Sequence, residues 1–178
     1  MKNRYEVRLA AVGGQGLITA GALLAKTAIN KKNMYATQSP TYTSQVRGGP
    51  TKVDVIIDKD PILFPQAVSI DLYFATAQRS FDLYYRSIKK DALIVVDSDL
   101  VTKLPEGDNH TIYKIPLTSE TVKQIGNIVV VSVVSLGIVT KLSGLFSKEE
   151  VKEIVLSSVP KGTEEMNIQA LDLGFNLV

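Results

Sequence analysis

The first 32 residues hold the pattern that most restricts the fold of this chain: a strand, a glycine-rich turn and a helix. Residues 4–12 alternate between polar and apolar side chains and then become wholly apolar, which predicts a strand that ends in a buried position. Gly13-Gly14-Gln15-Gly16 interrupts the strand. From Leu17 to Lys31-Lys32, apolar and small residues recur at helical spacing, and the first charge is Lys26. A helix so poor in charge is expected to be covered on more than one face.

Short strands and helices alternate along the rest of the chain. Further strands are predicted at 34–38, 51–58, 71–76, 92–96 and 111–115, and helices at 78–87, 128–143, 148–158 and 164–173. This order predicts one α/β domain over residues 1–178, a three-layer α/β/α fold with a mostly parallel, mixed central sheet of Rossmann-like type. A chain of 178 residues with 45% hydrophobic residues is long enough to bury one core.

Several local signals place the ends of these elements. Asn127 is predicted to cap the apolar helix, and Ser147 with Glu150 fits a capping box. Gly174 is expected to end the last helix. Residues 39–50 are predicted to form a loop, and the alternating strand 51–58 is expected to be half-covered, at a sheet edge.

Composition excludes several classes of function. The chain has no cysteine and one histidine, His110, which rules out disulfides, thiol nucleophiles, iron–sulfur ligation and Cys/His zinc sites. His110 lies in a polar stretch and is expected to be exposed. A formal net charge of +2 argues against a nucleic-acid binder. The longest apolar run, 128–140, is too short for a bilayer span, and the N-terminus does not resemble a signal peptide, so a cytoplasmic protein is expected.

The glycine turn is suited to an anion. A strand that leads through glycines into a helix presents backbone N–H groups, and glycine lets a ligand approach closely. The dinucleotide fingerprint is incomplete, because Thr19 stands where the third glycine belongs, and Ala22-Leu23 replaces the Lys-Ser/Thr of a P-loop. A tight β-to-α turn without any ligand is the alternative.

A second glycine motif, Arg47-Gly48-Gly49, lies in the predicted loop. The arginine offers a planar fork for a carboxylate or phosphate, although a solvated arginine is the alternative. No acidic residue lies between Glu6 and Asp54, an interval that contains both glycine motifs. The interval favours an anion unless acids from elsewhere balance its bases, which are Arg8, Lys26, Lys31, Lys32, Arg47 and Lys52.

The sequence shows no set of residues that is typical of a catalytic site. Asp97 and Asp99 follow a strand, where a turn or a helix cap is favoured over a metal or ribose site. No nucleophile–base pair, metal cluster or carboxylate pair is found in the sequence. An anion-binding turn without catalytic residues suggests a binding module or a subunit of a larger assembly.

The ordered motifs resemble the gamma subunit of 2-oxoacid:ferredoxin oxidoreductases. The resemblance covers nearly the whole chain and is mildly closer to the 2-oxoglutarate type than to the pyruvate type. The residues that carry it are Gly13-Gly14-Gln15-Gly16, Arg47-Gly48-Gly49, Asp60-Pro61-Ile62 with Pro65, Gly126-Asn127, Leu136-Gly137, and Asn167 with Ala170 and Gly174. The family's loop carries a glutamate where this chain has Gln45, which removes any role for a carboxylate there.

The resemblance implies a non-catalytic subunit of a complex that converts a 2-oxoacid and CoA to acyl-CoA, carbon dioxide and reduced ferredoxin. It implies alpha and beta partners, with a delta subunit in some complexes. Thiamine diphosphate, Mg and the iron–sulfur clusters would be held by those partners. CoA would contact this chain at Gly13, Gly14, Gln15, Gly16, Arg47, Gly48 and Gly49. A homodimer of the isolated chain is a further expectation, and a free-standing phosphate- or CoA-binding module and a purely structural subunit are the alternatives.

Overall fold

Six strands form one mixed sheet in the computed structural model, which describes residues 3–41, 47–106 and 110–178. The strands are β1 (Arg4–Val12), β2 (Tyr35–Thr41), β3 (Pro50–Asp58), β4 (Ile70–Ala75), β5 (Ile88–Asp97) and β6 (Thr111–Ile115). Their order across the sheet is β2-β3-β1-β4-β5-β6. Strands β1, β4, β5 and β6 run parallel, and β3 pairs antiparallel with both β1 and β2.

The helices cover the two faces of the sheet unequally. The helices are α1 (Leu17–Lys32), α2 (Gln78–Tyr84), α3 (Leu117–Ile125), α4 (Val131–Ser143), α5 (Lys148–Leu156) and α6 (Glu164–Asn176), and a 3₁₀ turn (Ile128–Val130) precedes α4. Helices α1, α3, α4, α5 and α6 pack on one face, and α2 packs on the other. The prediction of an α/β fold with a mixed sheet is therefore confirmed, with one thick and one thin helical layer.

Strand β3 lies inside the sheet, which corrects the prediction of an edge strand. Its alternating pattern arises because Lys52 and Asp54 face charges of the same fold rather than solvent. Arg8 on β1 meets Asp54 with two bonds of 2.7 and 2.9 Å, and both side chains are almost fully buried. Alternation of polar and apolar residues therefore marks two buried faces here, one apolar and one ionic. The loop predicted at 39–50 is likewise shorter, since β2 continues to Thr41.

Gly174 does not end the last helix, contrary to prediction. It lies within α6, where the helix crosses α4 at Gly137. A Cβ atom added at Gly174 would come within 2.2 Å of the Val134 carbonyl oxygen. The glycine is therefore present for close helix packing rather than for a left-handed cap.

Both predicted capping residues cap a helical segment, although Asn127 caps the 3₁₀ turn that precedes α4 rather than α4 itself. The Asn127 side chain accepts a hydrogen bond from the Val129 N–H at 3.0 Å. Ser147 and Glu150 form a reciprocal capping box at the start of α5. Helix α3 is absent from the sequence-based prediction. Across the described ranges, no helix has both the length and the apolar character needed to cross a membrane.

Candidate functional site

The two glycine motifs form one structure at the carboxyl end of β1. The Gly13 N–H donates to the Gly49 carbonyl at 2.9 Å, and the Gly48 N–H donates to the Gly13 carbonyl at 3.1 Å. These bonds continue the β1–β3 ladder past its last strand pair, Val12 with Pro50. The sheet therefore brings the glycine turn and the Arg47 loop side by side, although they lie more than 30 residues apart in the sequence.

Glycine is required at several points of this structure by backbone conformation. Gly14 and Gly16 have φ values of 107° and 73°, in the left-handed region that glycine adopts without steric cost. Gly16 also precedes the first residue of α1, and a Cβ there would lie 3.0 Å from the Ser132 Cβ. The turn is thus held tightly between β1 and the first turn of α4.

Gln15 fixes the turn to the neighbouring strand. Its side-chain oxygen accepts hydrogen bonds from the Val12 N–H at 3.0 Å and the Thr76 hydroxyl at 2.8 Å. Its side-chain nitrogen donates to the Thr76 carbonyl at 3.2 Å. Both ends of the amide are therefore engaged within the fold, and the Gln15 side chain positions the backbone of the turn.

The outer side of the turn is open to solvent. We call the exposed residues Gly14, Gly16, Arg47 and Gly48 the glycine–arginine surface. Helix α1 has neither a side-chain cap nor an acidic residue in its first turn, and its N-cap residue, Gly16, is exposed, so no side chain of the N-cap satisfies the partial positive charge at this helix end. No described residue forms a hydrogen bond or an ion pair with the Arg47 guanidinium. The arrangement offers backbone amides and one guanidinium to an anion.

The acid-free interval does not create a large basic patch, because other parts of the chain supply the acids. Asp54 pairs with both Arg8 and Lys52, so two of the six bases of this interval share one carboxylate on the sheet. The remaining internal contacts join Lys31 to Glu153, Lys32 to Glu150 and Lys26 to the Ser158 hydroxyl. Arg47 is the base of this interval that makes no contact of this kind within the described ranges. The electrostatic case for an anion therefore depends on Arg47 and the helix terminus.

Asp97 lies at the carboxyl end of β5, on the same side of the sheet as the glycine turn, but its hydrogen bonds stabilise the fold. Its carboxylate accepts hydrogen bonds from the Asp99 N–H and the Thr118 hydroxyl, at 3.1 and 2.5 Å. Asp99 in turn accepts from the Ser119 N–H in the first turn of α3 at 2.7 Å. Burial raises the pKa of Asp97, although the bond from Thr118 opposes that rise. Both acids therefore form the turn and helix cap that the sequence favours.

His110 is half-buried, which corrects the prediction that it is exposed. Its Nε2 atom donates to the Lys89 carbonyl at 2.8 Å, and its Nδ1 atom lies 3.3 Å from the Tyr85 hydroxyl. Residues 3–41, 47–106 and 110–178 contain no group of three His, Asp or Glu side chains that could hold a metal ion. Gln45 lies outside the described residues, together with Tyr42, Thr43 and Ser44.

Comparisons with known proteins agree with one another. A family model described as pyruvate ferredoxin/flavodoxin oxidoreductase matches residues 6–177. The 2-oxoglutarate synthase subunit KorC of Methanocaldococcus jannaschii is 40% identical, over 99% of this chain and 95% of that protein. The gamma subunit of keto/oxoacid ferredoxin oxidoreductase from Geobacter sulfurreducens is 36% identical, with a TM-score of 0.86 over 98% of this chain and 95% of that one.

A third protein shares the fold at lower identity. The 2-oxoglutarate:ferredoxin oxidoreductase from Magnetococcus marinus was solved with 2-oxoglutarate, coenzyme A and succinyl-CoA bound. It is 21% identical, with a TM-score of 0.83 over 99% of this chain and 31% of that longer chain.

Proposed function

Since this chain belongs to the pyruvate ferredoxin/flavodoxin oxidoreductase family, we propose that it is the gamma-type subunit of a 2-oxoacid:ferredoxin oxidoreductase. The observation that carries the proposal is the likeness along almost the whole chain to a KorC subunit and to a gamma subunit. Four KorC proteins match at 29–40% identity, which supports 2-oxoglutarate over pyruvate as the substrate of the complex. We further propose that residues 1–178 act as one domain.

The residues of this chain do not fit the iron–sulfur clusters of such a complex. Iron–sulfur clusters need cysteine thiolates, and the chain has no cysteine. The described ranges also hold no group of three His, Asp or Glu side chains that could bind a metal ion. We therefore assign the oxidative decarboxylation to alpha and beta subunits, with a delta subunit where the complex has one, and no step of it to this chain.

The part of this chain that would meet a reactant is the glycine–arginine surface. It combines an exposed guanidinium, an uncapped helix terminus and glycines that allow close approach. These features suit the phosphate groups of CoA, and we propose that this surface faces the partner subunits where CoA is used. Gly13, Gln15 and Gly49 hold the surface in shape, as their hydrogen bonds indicate.

Purification of the tagged chain from its native source tests the subunit assignment. We expect recovery of a complex that contains thiamine diphosphate and iron–sulfur clusters and that reduces ferredoxin with a 2-oxoacid and CoA. Recovery of the chain alone, as a monomer or a homodimer that binds CoA by itself, would instead identify a free-standing binding module.

Arg47→Ala in that complex tests the site. Loss of a charge-assisted hydrogen bond is worth about 1.5–3 kcal/mol, so the KM for CoA is expected to rise about tenfold or more. Arg86→Ala is the matched control, since Arg86 is also exposed but precedes β5 at the opposite edge of the sheet. An unchanged KM for CoA in Arg47→Ala would remove the guanidinium from the site.

A further inference from the structure

Strand β2 ends the described sheet on one side, and its outward backbone groups can be identified. The Thr51 hydroxyl donates to the Thr41 carbonyl at 2.7 Å, so the backbone of Thr41 points inward, toward β3. Successive residues of an antiparallel strand point to opposite sides, so Pro40, Gln38 and Ala36 point outward. Proline has no N–H to offer, which agrees with its outward position on an edge strand. The outer edge therefore offers the N–H groups of Ala36 and Gln38.

A groove of about 650 Å³ lies around this open edge. Ile29 and Met34 line it from the thick helical layer, and Ile62 lines it from the opposite face of the sheet. Lys59 lines it from the end of β3. Residues from both layers therefore flank the cavity together with β2, and the cavity lies beside the open backbone of that strand.

Polar and apolar groups line the groove together, and several of the apolar side chains nearby are exposed. Ile29 and Tyr35 are 50% and 51% exposed, and beyond Ile62 the same loop carries Leu63 and Phe64, which are 94% and 59% exposed. Large exposed apolar side chains of this kind favour a site of protein association.

The loop that carries Ile62, Leu63 and Phe64 is fixed to the fold by hydrogen bonds. The Ser39 hydroxyl donates to the Pro65 carbonyl at 2.7 Å. The buried Glu6 carboxylate accepts hydrogen bonds from the Val68 and Ser69 N–H groups, at 2.8 and 2.7 Å. This loop is thus ordered before any partner binds, which lowers the entropic cost of binding.

We propose that an extended segment of a neighbouring subunit binds here as a seventh strand, next to β2. The open backbone selects an extended segment, the groove selects an aliphatic side chain, and Lys59 selects a carboxylate. Lys59 is the charged residue among those described that line the groove. Of its two acidic neighbours in the chain, Asp58 is held by Arg4, and Asp60 is exposed but does not line the groove. This inference rests on the proposed function, because it requires the complex to exist.

A second copy of this chain is the less suitable occupant. Its own edge strand, Tyr35–Thr41, carries no acidic residue to meet Lys59.

The groove lies at the amino end of β2, away from the glycine–arginine surface at the carboxyl end of β1. Docking here therefore leaves that surface free to face the reactants.

Hydrogen exchange of the tagged complex and of the full-length chain alone tests the proposal. We expect the Ala36 and Gln38 amides to exchange at least about tenfold more slowly in the complex, because an added strand supplies their acceptors. Equal exchange in a complex that does contain its thiamine-bearing partner would overturn the proposal and leave the proposed function intact. Slow exchange in the chain alone, dependent on its concentration, would also overturn it, in favour of self-association.

Two substitutions separate docking from folding. Gln38→Pro removes an outward N–H, as Pro40 already does, and Lys59→Glu reverses the charge in the groove. Each is expected to lower recovery of the partner subunits about tenfold with an unchanged melting temperature. Lys114→Glu is the matched control, since Lys114 is exposed on the other edge strand, β6. Full recovery with Lys59→Glu, or equal loss with Lys114→Glu, would refute the assignment.

Discussion

Replacing Gly174 by alanine is expected to destabilise the chain, although the same change favours an isolated helix. Alanine exceeds glycine in helix propensity by about 1 kcal/mol. In the structure, however, the new Cβ would meet the Val134 carbonyl oxygen at 2.2 Å and the Gly137 Cα at 3.0 Å. Both obstacles are backbone atoms, so no side-chain rotation relieves them, and α4 must move away from α6.

The size of the effect follows from the distance. Ordinary contact begins near 3.4 Å, so the helices must separate by more than 1 Å at this crossing. Overpacking of a core costs about 1–3 kcal/mol and occasionally more, and this displacement lies at the upper end. After the gain in propensity, we expect the free energy of unfolding to fall by about 2 kcal/mol, which lowers the melting temperature by about 4–8 °C in a chain of this size.

Urea unfolding followed by circular dichroism measures this change. Gly21→Ala is the matched control, because its Cβ would meet only the methyl ends of Val53 and Val55, at 2.9 to 3.2 Å. These contacts involve side-chain rather than backbone atoms and are less close than the 2.2 Å contact at Gly174, so a smaller loss is expected there. A Gly174→Ala chain as stable as the parent would refute the argument that close backbone packing requires this glycine.

Three further predictions concern buried and capping polar groups. Arg8→Met is expected to lower the free energy of unfolding by about 3–5 kcal/mol, because the buried Asp54 carboxylate loses its ion pair with Arg8. Combining Arg8→Met with Asp54→Leu should recover much of that loss, as measured by urea unfolding. Burial raises the pKa of Asp97 above its ordinary 3.8, so the folded chain binds that proton more tightly and the contribution of Asp97 to stability falls as the pH rises from 3.8 through the raised value. Asp97→Asn should flatten that part of the stability–pH profile, and an unchanged profile would refute the assignment. Ser147→Ala should cost about 1 kcal/mol, measured by thermal unfolding, because the capping box with Glu150 is lost.

The order of the elements was predictable from local sequence patterns. Strand β1, helix α1 and strand β6 lie where the patterns predict them, and Ser147 and Asn127 cap the helices that follow them. These features depend on period, propensity and capping, which act between residues close together in the chain. The family resemblance was also readable, because its motifs keep their order along the chain.

The neighbours of each strand could not be read in the same way. The sequence of β3 predicts an edge strand because Lys52 and Asp54 alternate with apolar residues. Asp54 is nevertheless buried, since Arg8 on β1 forms an ion pair with it. A residue 46 positions away decides that outcome. Gly174 similarly has the sequence context of a helix stop, and only the approach of α4 shows that it packs within the helix.

For the candidate site, the sequence by itself determined which residues have the right chemistry, and the tertiary structure decided which of them are free to use it. Both glycine motifs and Arg47 were identifiable, but their adjacency follows from antiparallel pairing of β1 with β3. Gln15 has a side chain that could bind a ligand, but its amide is engaged in hydrogen bonds within the fold. Lys31 and Lys32, which belong to the acid-free interval, form ion pairs with acids from a distant helix. Hydrogen bonds and ion pairs form between groups that are close in space, so their partners depend on how the chain is folded.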